Sequence, residues 1–244
     1  MSAEVPPPGA LVVFPVHGIG EVASGDDLGQ LIADALGRSH LELADGDVVV
    51  VTQKVVSKAE GRVVALDPQD KAAKVALVES EAVRVLRRRG DMLITETRHG
   101  FVCATAGIDV SNLAAGQAAL LPVDADRSAR SIRASLHHRL GRSVGIVISD
   151  TFGRAWRRGV TDVAIGVAGV AGVVDLRGTP DATGRELQAT EVCVADEIAG
   201  AAELVMGKDR NVPVAIVRGV PEHWLRPASV AEEIVRPPAE DLFR

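Results

Sequence analysis

The chain has 244 residues and is 47% hydrophobic, so it can bury a substantial core in one large domain or two small ones. Its formal charge of −6 and its few aromatic residues (four Phe, two Trp, no Tyr) argue against nucleic-acid binding, which relies on clustered cations and stacking rings. Neither a signal peptide nor an apolar stretch of about 18 residues is recognisable, which predicts a soluble cytoplasmic protein.

The hydrophobic pattern of the first half predicts alternating strands and helices. Residues 11–16 form a short apolar run typical of a strand, and residues 24–27 then supply the cap of a helix over residues 28–36. The β-branched run at 48–51 predicts a strand that is buried on both faces. Between residues 68 and 89, apolar side chains recur at helical spacing, which predicts an amphipathic surface helix.

The second half continues the alternation and completes an α/β fold. Helices are predicted at residues 129–140, ending at a left-handed glycine, and at 194–207. A buried strand is predicted at 144–148, closely packed strands rich in small residues at 161–174, and a last strand at 214–217.

The two ends of the chain differ in composition from the middle. Residues 1–10 are rich in proline and are predicted to be disordered, and residues 220–244 are predicted to form a loosely attached tail. Residues 11–219 are then one domain. Cys103 and Cys193 are too few for a disulfide framework or a four-ligand zinc site, so both are expected to be reduced core residues.

A glycine-rich segment follows the first predicted strand. Gly18-Ile19-Gly20-Glu21-Val22-Ala23 satisfies the dinucleotide fingerprint, which alone would favour a nicotinamide-dependent oxidoreductase. Residues 24–27 intervene before the helix, however, so a pyrophosphate would not meet its N-terminus in the usual way. A phosphate or base loop of another kind and a plain strand-to-helix turn both stay open. A P-loop is not present, since Gly207-Lys208-Asp209 lacks the required residues around the lysine.

Hard oxygen ligands are placed at the end of the strand predicted at 144–148. Ser149-Asp150-Thr151 stands there, and Asp109 with Asn112 lies in a turn of small residues. Carboxylate and hydroxyl oxygens suit Mg²⁺ or Mn²⁺, and ligand sites of α/β sheets usually lie at strand ends. Each aspartate alone is more often a turn or cap residue, so a metal site requires that they meet in space.

Cationic side chains accompany these segments. Lys58 follows the buried strand at 48–51 and is suited to phosphate, although an isolated lysine is more often a solvated charge. Arg154, Arg157 and Arg158 follow the Asp150 segment, and guanidinium groups bind phosphate or carboxylate through two hydrogen bonds. A solvated basic turn is the alternative. His99 lies in a polar segment, but none of the histidines shows a metal-ligand spacing, so none is assigned a role.

Five motifs follow one another along the chain. They are GDVVVVTQKVVSKAEG at residues 46–61, ITETRHG at 94–100, AGIDVSN at 106–112, ISDTFGR at 148–154 and VADEI at 194–198. Together they resemble the coenzyme F420-0:L-glutamate (γ-glutamyl) ligase family over roughly residues 11 to 219. Several long motifs in the correct order make this resemblance specific.

The resemblance implies a family-specific α/β fold with mixed sheets, a homodimer, and a cleft shared by the subunits that binds GTP and a divalent metal. By position, Asp109, Asp150 and Thr151 match the metal ligands, and Lys58, Asp109 and Asp150 match the catalytic residues. Gln53 stands where relatives carry Ser, which weakens the match there. The positions that match GTP-contacting residues are Ile19, Gly20, Glu21, Val22, Gln53, Lys58 and Asn112, followed by a later loop of Met206, Gly207 and Lys208.

The implied reaction transfers the γ-phosphate of GTP to a carboxylate of coenzyme F420-0, and the amine of L-glutamate then displaces phosphate from the acyl phosphate to give an amide. The implied cofactors are Mg²⁺ or Mn²⁺, with K⁺ as an optional additional ion. Asp109 and Asp150 would be ligands rather than an acid and a base, and Lys58 would offset charge on the phosphoryl oxygens. The number of glutamates added is left open.

Three alternatives remain open from the sequence. The first is the nicotinamide-dependent oxidoreductase, and the second is a non-catalytic domain that binds a partner. The third is a ligase that forms the first half of a fusion, since some bacterial relatives continue into a flavin-binding, nitroreductase-like domain.

Overall fold

The computed structural model describes residue 7 and residues 9–242. Residues 1–6 and 8 of the N-terminus that is predicted to be disordered lie outside the described residues. The strands are β1 (Val12–Pro15), β2 (Val48–Thr52), β3 (Val63–Ala65), β4 (Ala82–Arg89), β5 (Met92–Thr97), β6 (Val102–Ala104), β7 (Gln117–Ala119), β8 (Gly145–Gly153), β9 (Val160–Ala168), β10 (Val174–Asp175), β11 (Glu191–Val192) and β12 (Val214–Arg218). The helices are α1 (Leu28–Ser39), α2 (Gln53–Ala59), α3 (Lys71–Glu81), α4 (Ala125–Leu140), α5 (Val194–Met206) and α6 (Val230–Glu233).

A five-stranded mixed sheet forms the centre of the molecule. Its strand order is β1-β12-β2-β8-β9, with β2 and β8 parallel and every other neighbouring pair antiparallel. Strand β2 shows why its sequence is a continuous apolar run. Val49 and Val51 pack into the core on one face, whereas Val48 and Val50 pack into the core on the other, because successive side chains point to opposite faces.

Helices cover both faces of this sheet. Helices α1 and α4 pack in the core that contains Val49, and α5 packs in the core that contains Val50. The predicted caps are confirmed, because the Asp27 carboxylate accepts a hydrogen bond from the Gln30 amide and Gly141 ends α4 at φ 66°. The α/β class is therefore confirmed, while the family-specific fold and the dimer stay predictions.

The described residues form three small sheets besides the central one, and one of them corrects a prediction. The helix predicted between residues 68 and 89 ends at Glu81, and residues 82–89 form β4 in the sheet β4-β5-β6. Val83 and Val85 alternate with arginines, and β4 turns tightly at Gly90 (φ 59°) to pair with β5. The prediction relied on a spacing of three and four, whereas the period of two and the β-branched residues decide the structure here.

Strand β8 is longer than its apolar run. The prediction ended it before Ser149, but β8 continues through Asp150 and Thr151 to Gly153 and stays paired with β9. The register shifts between Ile148 and Ser149, which leaves one extra residue on β9. Such a bulge twists a strand and re-aims its side chains, and bulges are common next to active sites.

The C-terminal segment is not loosely attached over residues 220–235, contrary to the prediction. Val230 is 1% exposed and packs in the core of α5. The buried Asp126 accepts hydrogen bonds from the amides of Val167 and Val230, and so ties α6 to β9. These contacts could not be predicted, because the segment is short and rich in proline and shows no hydrophobic periodicity. In the described part of the chain, no helix is both long enough and apolar enough to cross a lipid bilayer.

Candidate active site

Strands β8 and β9 carry the centre of the candidate site. Thr151 on β8 is paired in register with Asp162 on β9, and its Oγ1 hydroxyl donates to Asp162 Oδ1 at 2.6 Å. Ser149 donates to the other oxygen, Oδ2, at 3.0 Å. Asp162 is 2% exposed, so both of its oxygens are held inside the protein by hydroxyl groups.

Asp150 lies between these two residues and has an unusual pKa. Burial raises the pKa of its carboxyl to about 7, and the negative charges of Asp109 and Asp162 act in the same direction. A hydrogen bond from the Thr151 amide and the charge of Lys208 oppose them. Asp109 and Asp150, predicted as a pair, are thus close enough for their charges to interact.

Asp109 reaches the site from a turn that is bridged to β7. Its Oδ2 forms an ion pair with Lys54 Nζ at 2.7 Å, and its Oδ1 accepts a hydrogen bond from the Ser111 amide at 2.7 Å. Although burial acts to raise it, the hydrogen bonds from Lys54 and Ser111 hold the pKa of Asp109 below its ordinary value. Asp109 is therefore ionised, and Lys54 is its direct partner.

Lys208 enters the same centre from the loop that follows α5. Its ammonium contacts Thr151 Oγ1, Asp162 Oδ1 at 3.0 Å and Glu203 Oε1 at 3.2 Å. Asn112 Nδ2 donates to the backbone oxygen of Lys208 at 3.0 Å. The structure therefore brings together the predicted metal segment and two segments predicted to contact GTP.

Helix α2 links this centre to the glycine-rich loop. Lys58 Nζ contacts Glu21 Oε1 at 2.6 Å, and Lys58 follows Lys54 by four residues, so the two ammonium groups lie on one face of α2. The loop after β1 contains no helix before Leu28, which agrees with the argument against a dinucleotide-binding turn. One continuous polar surface thus runs from Glu21 through Lys58 and Lys54 to Asp109.

Three of the other predicted contact residues, Gln53, Val22 and Met206, point into the core. Gln53 is 1% exposed, and its amide donates to Ser57 Oγ at 2.6 Å and to the Leu120 carbonyl at 3.0 Å. The side chains of Val22 and Met206 are buried in the two cores. Gly20 is exposed and Ile19 packs partly against the core, so this loop offers mainly its backbone. Contact with GTP stays a prediction for all five residues.

The arginines and His99 lie apart from the ion pairs. Arg154, Arg157 and Arg158 are exposed in the loop that joins β8 to β9. His99 Nε2 is 2.9 Å from the carbonyl oxygen of Pro122, and its buried Nδ1 has no hydrogen-bond partner. A carbonyl can only accept, so Nε2 carries the proton and Nδ1 is a bare acceptor.

Sequence reasoning missed three side chains of the centre, namely Lys54, Asp162 and Glu203. Each lies in a segment whose pattern indicates only a helix or a strand. The sequence did contain one indication of Asp162, namely a carboxylate within a predicted apolar strand. Such a carboxylate is rarely buried without a hydrogen-bond or ion-pair partner, so its position indicates a polar site. Lys54 stands four residues before Lys58 and could have been found by that spacing.

The donor atoms of the centre suit a hard cation. Asp109, Asp150 and Thr151 offer two carboxylates and a hydroxyl, and the desolvated charge of Asp150 beside two other carboxylates favours binding of a positive ion. No group of three or more His, Cys, Asp or Glu side chains within residues 7 and 9–242 is arranged to hold a metal by itself. Water and substrate oxygens would have to complete the coordination, as is usual for Mg²⁺.

Comparison with known proteins identifies the family. The sequence profile of the F420-0:Gamma-glutamyl ligase family matches residues 18–219. The chain belongs to this family. It is 43% identical to the coenzyme F420:L-glutamate ligase of Methanothermobacter thermautotrophicus over 94% of this chain and 97% of that protein. The proteins of the same name from Methanopyrus kandleri and Archaeoglobus fulgidus are 43% and 39% identical, over 92% and 95% of this chain and 94% and 96% of theirs.

Membership of the F420-0:gamma-glutamyl ligase family makes the chain an enzyme of the ligase class. This finding excludes the non-catalytic binding domain and leaves the nicotinamide-dependent oxidoreductase without support. The family match also covers every residue of the acidic centre, by which we mean Asp109, Asp150, Thr151, Asp162, Glu203 and Lys208. It covers Glu21, Lys54 and Lys58 of the adjoining polar surface as well.

Proposed function

We propose that the chain joins L-glutamate to coenzyme F420-0 through an amide bond, using GTP and a divalent cation, and that it acts in coenzyme F420 biosynthesis. The observation that carries the proposal is a polar surface in which Asp109 pairs with Lys54 and Thr151 contacts Lys208. Asp150 interacts with the charges of Asp109 and Lys208, and Lys58 lies four residues after Lys54 and pairs with Glu21. This surface joins carboxylates for a cation to ammonium groups for phosphates, and the printed name of the relatives reported above contains coenzyme F420 and L-glutamate.

Asp109, Asp150 and the hydroxyl of Thr151 would hold Mg²⁺ or Mn²⁺. When bound, the cation offsets negative charge on the phosphoryl oxygens of GTP. Lys58 and Lys54 would lie along the phosphates, with Lys58 leaving Glu21 to do so. Since Asp109 and Asp150 bind the cation, neither is free to act as a general acid or base.

The reaction proceeds in two steps, formation of an acyl phosphate and its aminolysis. A carboxylate oxygen of coenzyme F420-0 attacks the γ-phosphorus of GTP, the bond to the β,γ-bridging oxygen breaks, and GDP leaves. The amine of L-glutamate then attacks the acyl carbon, phosphate leaves with the electrons of the C–O bond, and the amine proton passes to solvent. No protein nucleophile is needed, so the side chains act by positioning and by electrostatic stabilisation.

The resemblance also leads us to propose a homodimer. Three apolar side chains of the sheet β4-β5-β6 are more than two-fifths exposed, namely Val83, Met92 and Val102. Exposed apolar residues grouped on one sheet are typical of an interface. Light scattering of the purified protein should give twice the monomer mass of 25.5 kDa.

The decisive experiment is glutamate addition to coenzyme F420-0, followed by mass spectrometry. The complete reaction contains GTP and Mg²⁺ or Mn²⁺, and matched reactions replace GTP by ATP or contain a chelator. We expect a glutamyl mass increment that requires both GTP and metal. An increment without GTP, or no increment with any metal, would contradict the proposal.

Variants of the acidic centre test the residues themselves. We expect Asp109→Ala and Asp150→Ala to abolish turnover while circular dichroism stays that of the native protein. Asp34→Ala serves as a control, because Asp34 is an exposed aspartate of α1 outside the ion pairs of the centre. Loss of fold in both aspartate variants would make these residues structural instead.

A further inference from the structure

The hydroxyl of Thr151 is held between a donor and an acceptor. A hydroxyl has one proton and two lone pairs. Its proton is directed to Asp162 Oδ1 at 2.6 Å, since an ionised carboxylate can only accept, and Lys208 donates to one of its lone pairs. The hydrogen bond to Asp162 therefore fixes the orientation of this hydroxyl and prevents it from rotating freely.

Asp162 is itself fixed. Ser149 donates to its Oδ2 at 3.0 Å, and Ser149 and Asp162 are 1% and 2% exposed. Both lie on the paired strands β8 and β9, close to the bulge, so backbone pairing keeps the three side chains at constant separation. A carboxylate with both oxygens engaged cannot turn away from Thr151 without breaking a buried hydrogen bond, which is costly.

We infer that Asp162 is a positioning residue, which directs the Thr151 proton inward so that the lone pairs of the hydroxyl face the cation. The inference rests on the proposed function, in which Thr151 binds Mg²⁺ or Mn²⁺. Groups that hydrogen-bond to a metal ligand commonly control its orientation and its basicity.

Asp162 also remains an ion-pair partner of Lys208 when Lys208 no longer contacts Thr151. A cation that binds Thr151 Oγ1 displaces the ammonium from that oxygen. Asp162 Oδ1 and Glu203 Oε1 lie 3.0 and 3.2 Å from the same ammonium, so Lys208 keeps two partners when it releases Thr151. The carboxylate of Asp162 thus has two roles. It orients the hydroxyl that would bind the cation, and it forms an ion pair with the lysine that the cation would displace.

The test is Mn²⁺ binding to the purified protein, measured by isothermal titration calorimetry without substrates. We expect Asp162→Asn to weaken Mn²⁺ affinity about 10- to 100-fold, the range usual for residues that orient a metal ligand. Asp196→Asn is the control, because Asp196 is a partly buried aspartate that also bonds β9, accepting a hydrogen bond from the Ala164 amide at 2.8 Å. Its affinity for Mn²⁺ should be unchanged.

A double-mutant cycle separates positioning from a general effect on the fold. If Asp162 acts through the hydroxyl, Thr151→Val alone and the double variant Thr151→Val/Asp162→Asn should bind Mn²⁺ with similar affinity. Losses that add in the double variant would overturn the inference, as would an Asp162→Asn variant that binds as tightly as the wild type.

Three further outcomes are distinguishable. Should Asp162→Asn fail to fold, Ser149→Ala removes one hydroxyl from beneath the same carboxylate and should still weaken Mn²⁺ binding, and unchanged affinity would refute the positioning role. Failure of the wild-type protein to bind Mn²⁺ would remove the proposed metal site, and the inference with it. Binding to the wild type and equal binding to all variants would overturn the inference alone.

Discussion

Asp150 illustrates how a residue that is proposed to bind a cation lowers the stability of the protein that carries it. Its carboxylate is desolvated and lies near two other negative charges, Asp109 and Asp162. The sequence indicated the chemical type of this residue, because a carboxylate and a hydroxyl follow an apolar run. It did not indicate all the partners of Asp150, since Asp162 and Lys208 come from other elements and reach the site only through tertiary packing.

We expect Asp150→Asn to stabilise the protein in the presence of chelator. The pKa of about 7 in the folded state lies above the ordinary value of 3.8, so ionisation favours the unfolded chain. The stability that the protonated group contributes is fully present below pH 3.8 and is lost as the pH rises through 7. The gain from Asn should therefore grow from pH 4 to 7 and reach about 4 kcal/mol at pH 8.

Urea denaturation of both proteins at pH 5 and pH 8 measures this gain. Asp109→Asn is the comparison, because the hydrogen bonds of Lys54 and Ser111 lower the pKa of Asp109 and its loss should destabilise the fold. Equal stability of Asp150→Asn and wild type at pH 8 would contradict the expectation.

Gln53 and Lys58, both predicted to contact GTP, should respond differently to substitution. Gln53→Ala removes a buried amide that bonds Ser57 and Leu120, and should lower the free energy of unfolding by about 1–3 kcal/mol without changing nucleotide affinity. Lys58→Met keeps the length of the side chain but removes its charge, and should therefore weaken GTP binding. It should have little effect on stability, because the ion-pair partner Glu21 is exposed and exposed ion pairs contribute little. Weaker GTP binding by a stable Gln53→Ala protein would favour a direct contact.

Among the elements, strand β9 joins the site to the helical layer. A Cβ atom at Gly166 would lie 2.5 Å from the backbone of Ala125 at the start of α4, so only glycine allows this close approach. The sequence showed small residues in this stretch and predicted close packing, which the structure confirms. It could not show which helix packs there.

We expect Gly166→Ala to separate β9 from α4 and to destabilise the protein by about 1–3 kcal/mol. Gly200→Ala is the matched control in α5, where the nearest atom lies 3.8 Å away. This change should be neutral or stabilise the protein by up to about 1 kcal/mol, because alanine favours a helix. Thermal unfolding of the two variants measures both effects, and equal melting temperatures would contradict the close approach.

Over the whole molecule, local patterns predicted the elements better than their arrangement. The apolar runs of β2, β8 and β12 predicted buried strands, and the structure places all three at the centre of one sheet. The order β1-β12-β2-β8-β9 brings the last strand beside the first, which depends on contacts separated by about 200 residues and leaves no local signal. The same reason explains the packed segment around Val230, which Asp126 holds from over 100 residues away.

Ligand binding should stabilise the whole chain, because the proposed site draws on segments from Glu21 to Lys208. A ligand present at 100 times its dissociation constant adds about 2.7 kcal/mol to the stability of the folded state. For a protein of this size, that gain corresponds to a rise in melting temperature of about 5–10 °C. We therefore expect a rise of this size with GTP and Mn²⁺ together, and a smaller one with either alone.

Differential scanning fluorimetry of wild type and Asp109→Ala measures the rise. The variant retains the glycine-rich loop and Lys58 but lacks one of the two carboxylates of the centre, so added Mn²⁺ should no longer increase the effect of GTP. An equal rise in the variant would place the cation elsewhere. An equal rise with ATP would argue against selectivity for guanine, while leaving the phosphate-binding role of the site intact, because lysines recognise phosphate independently of the base.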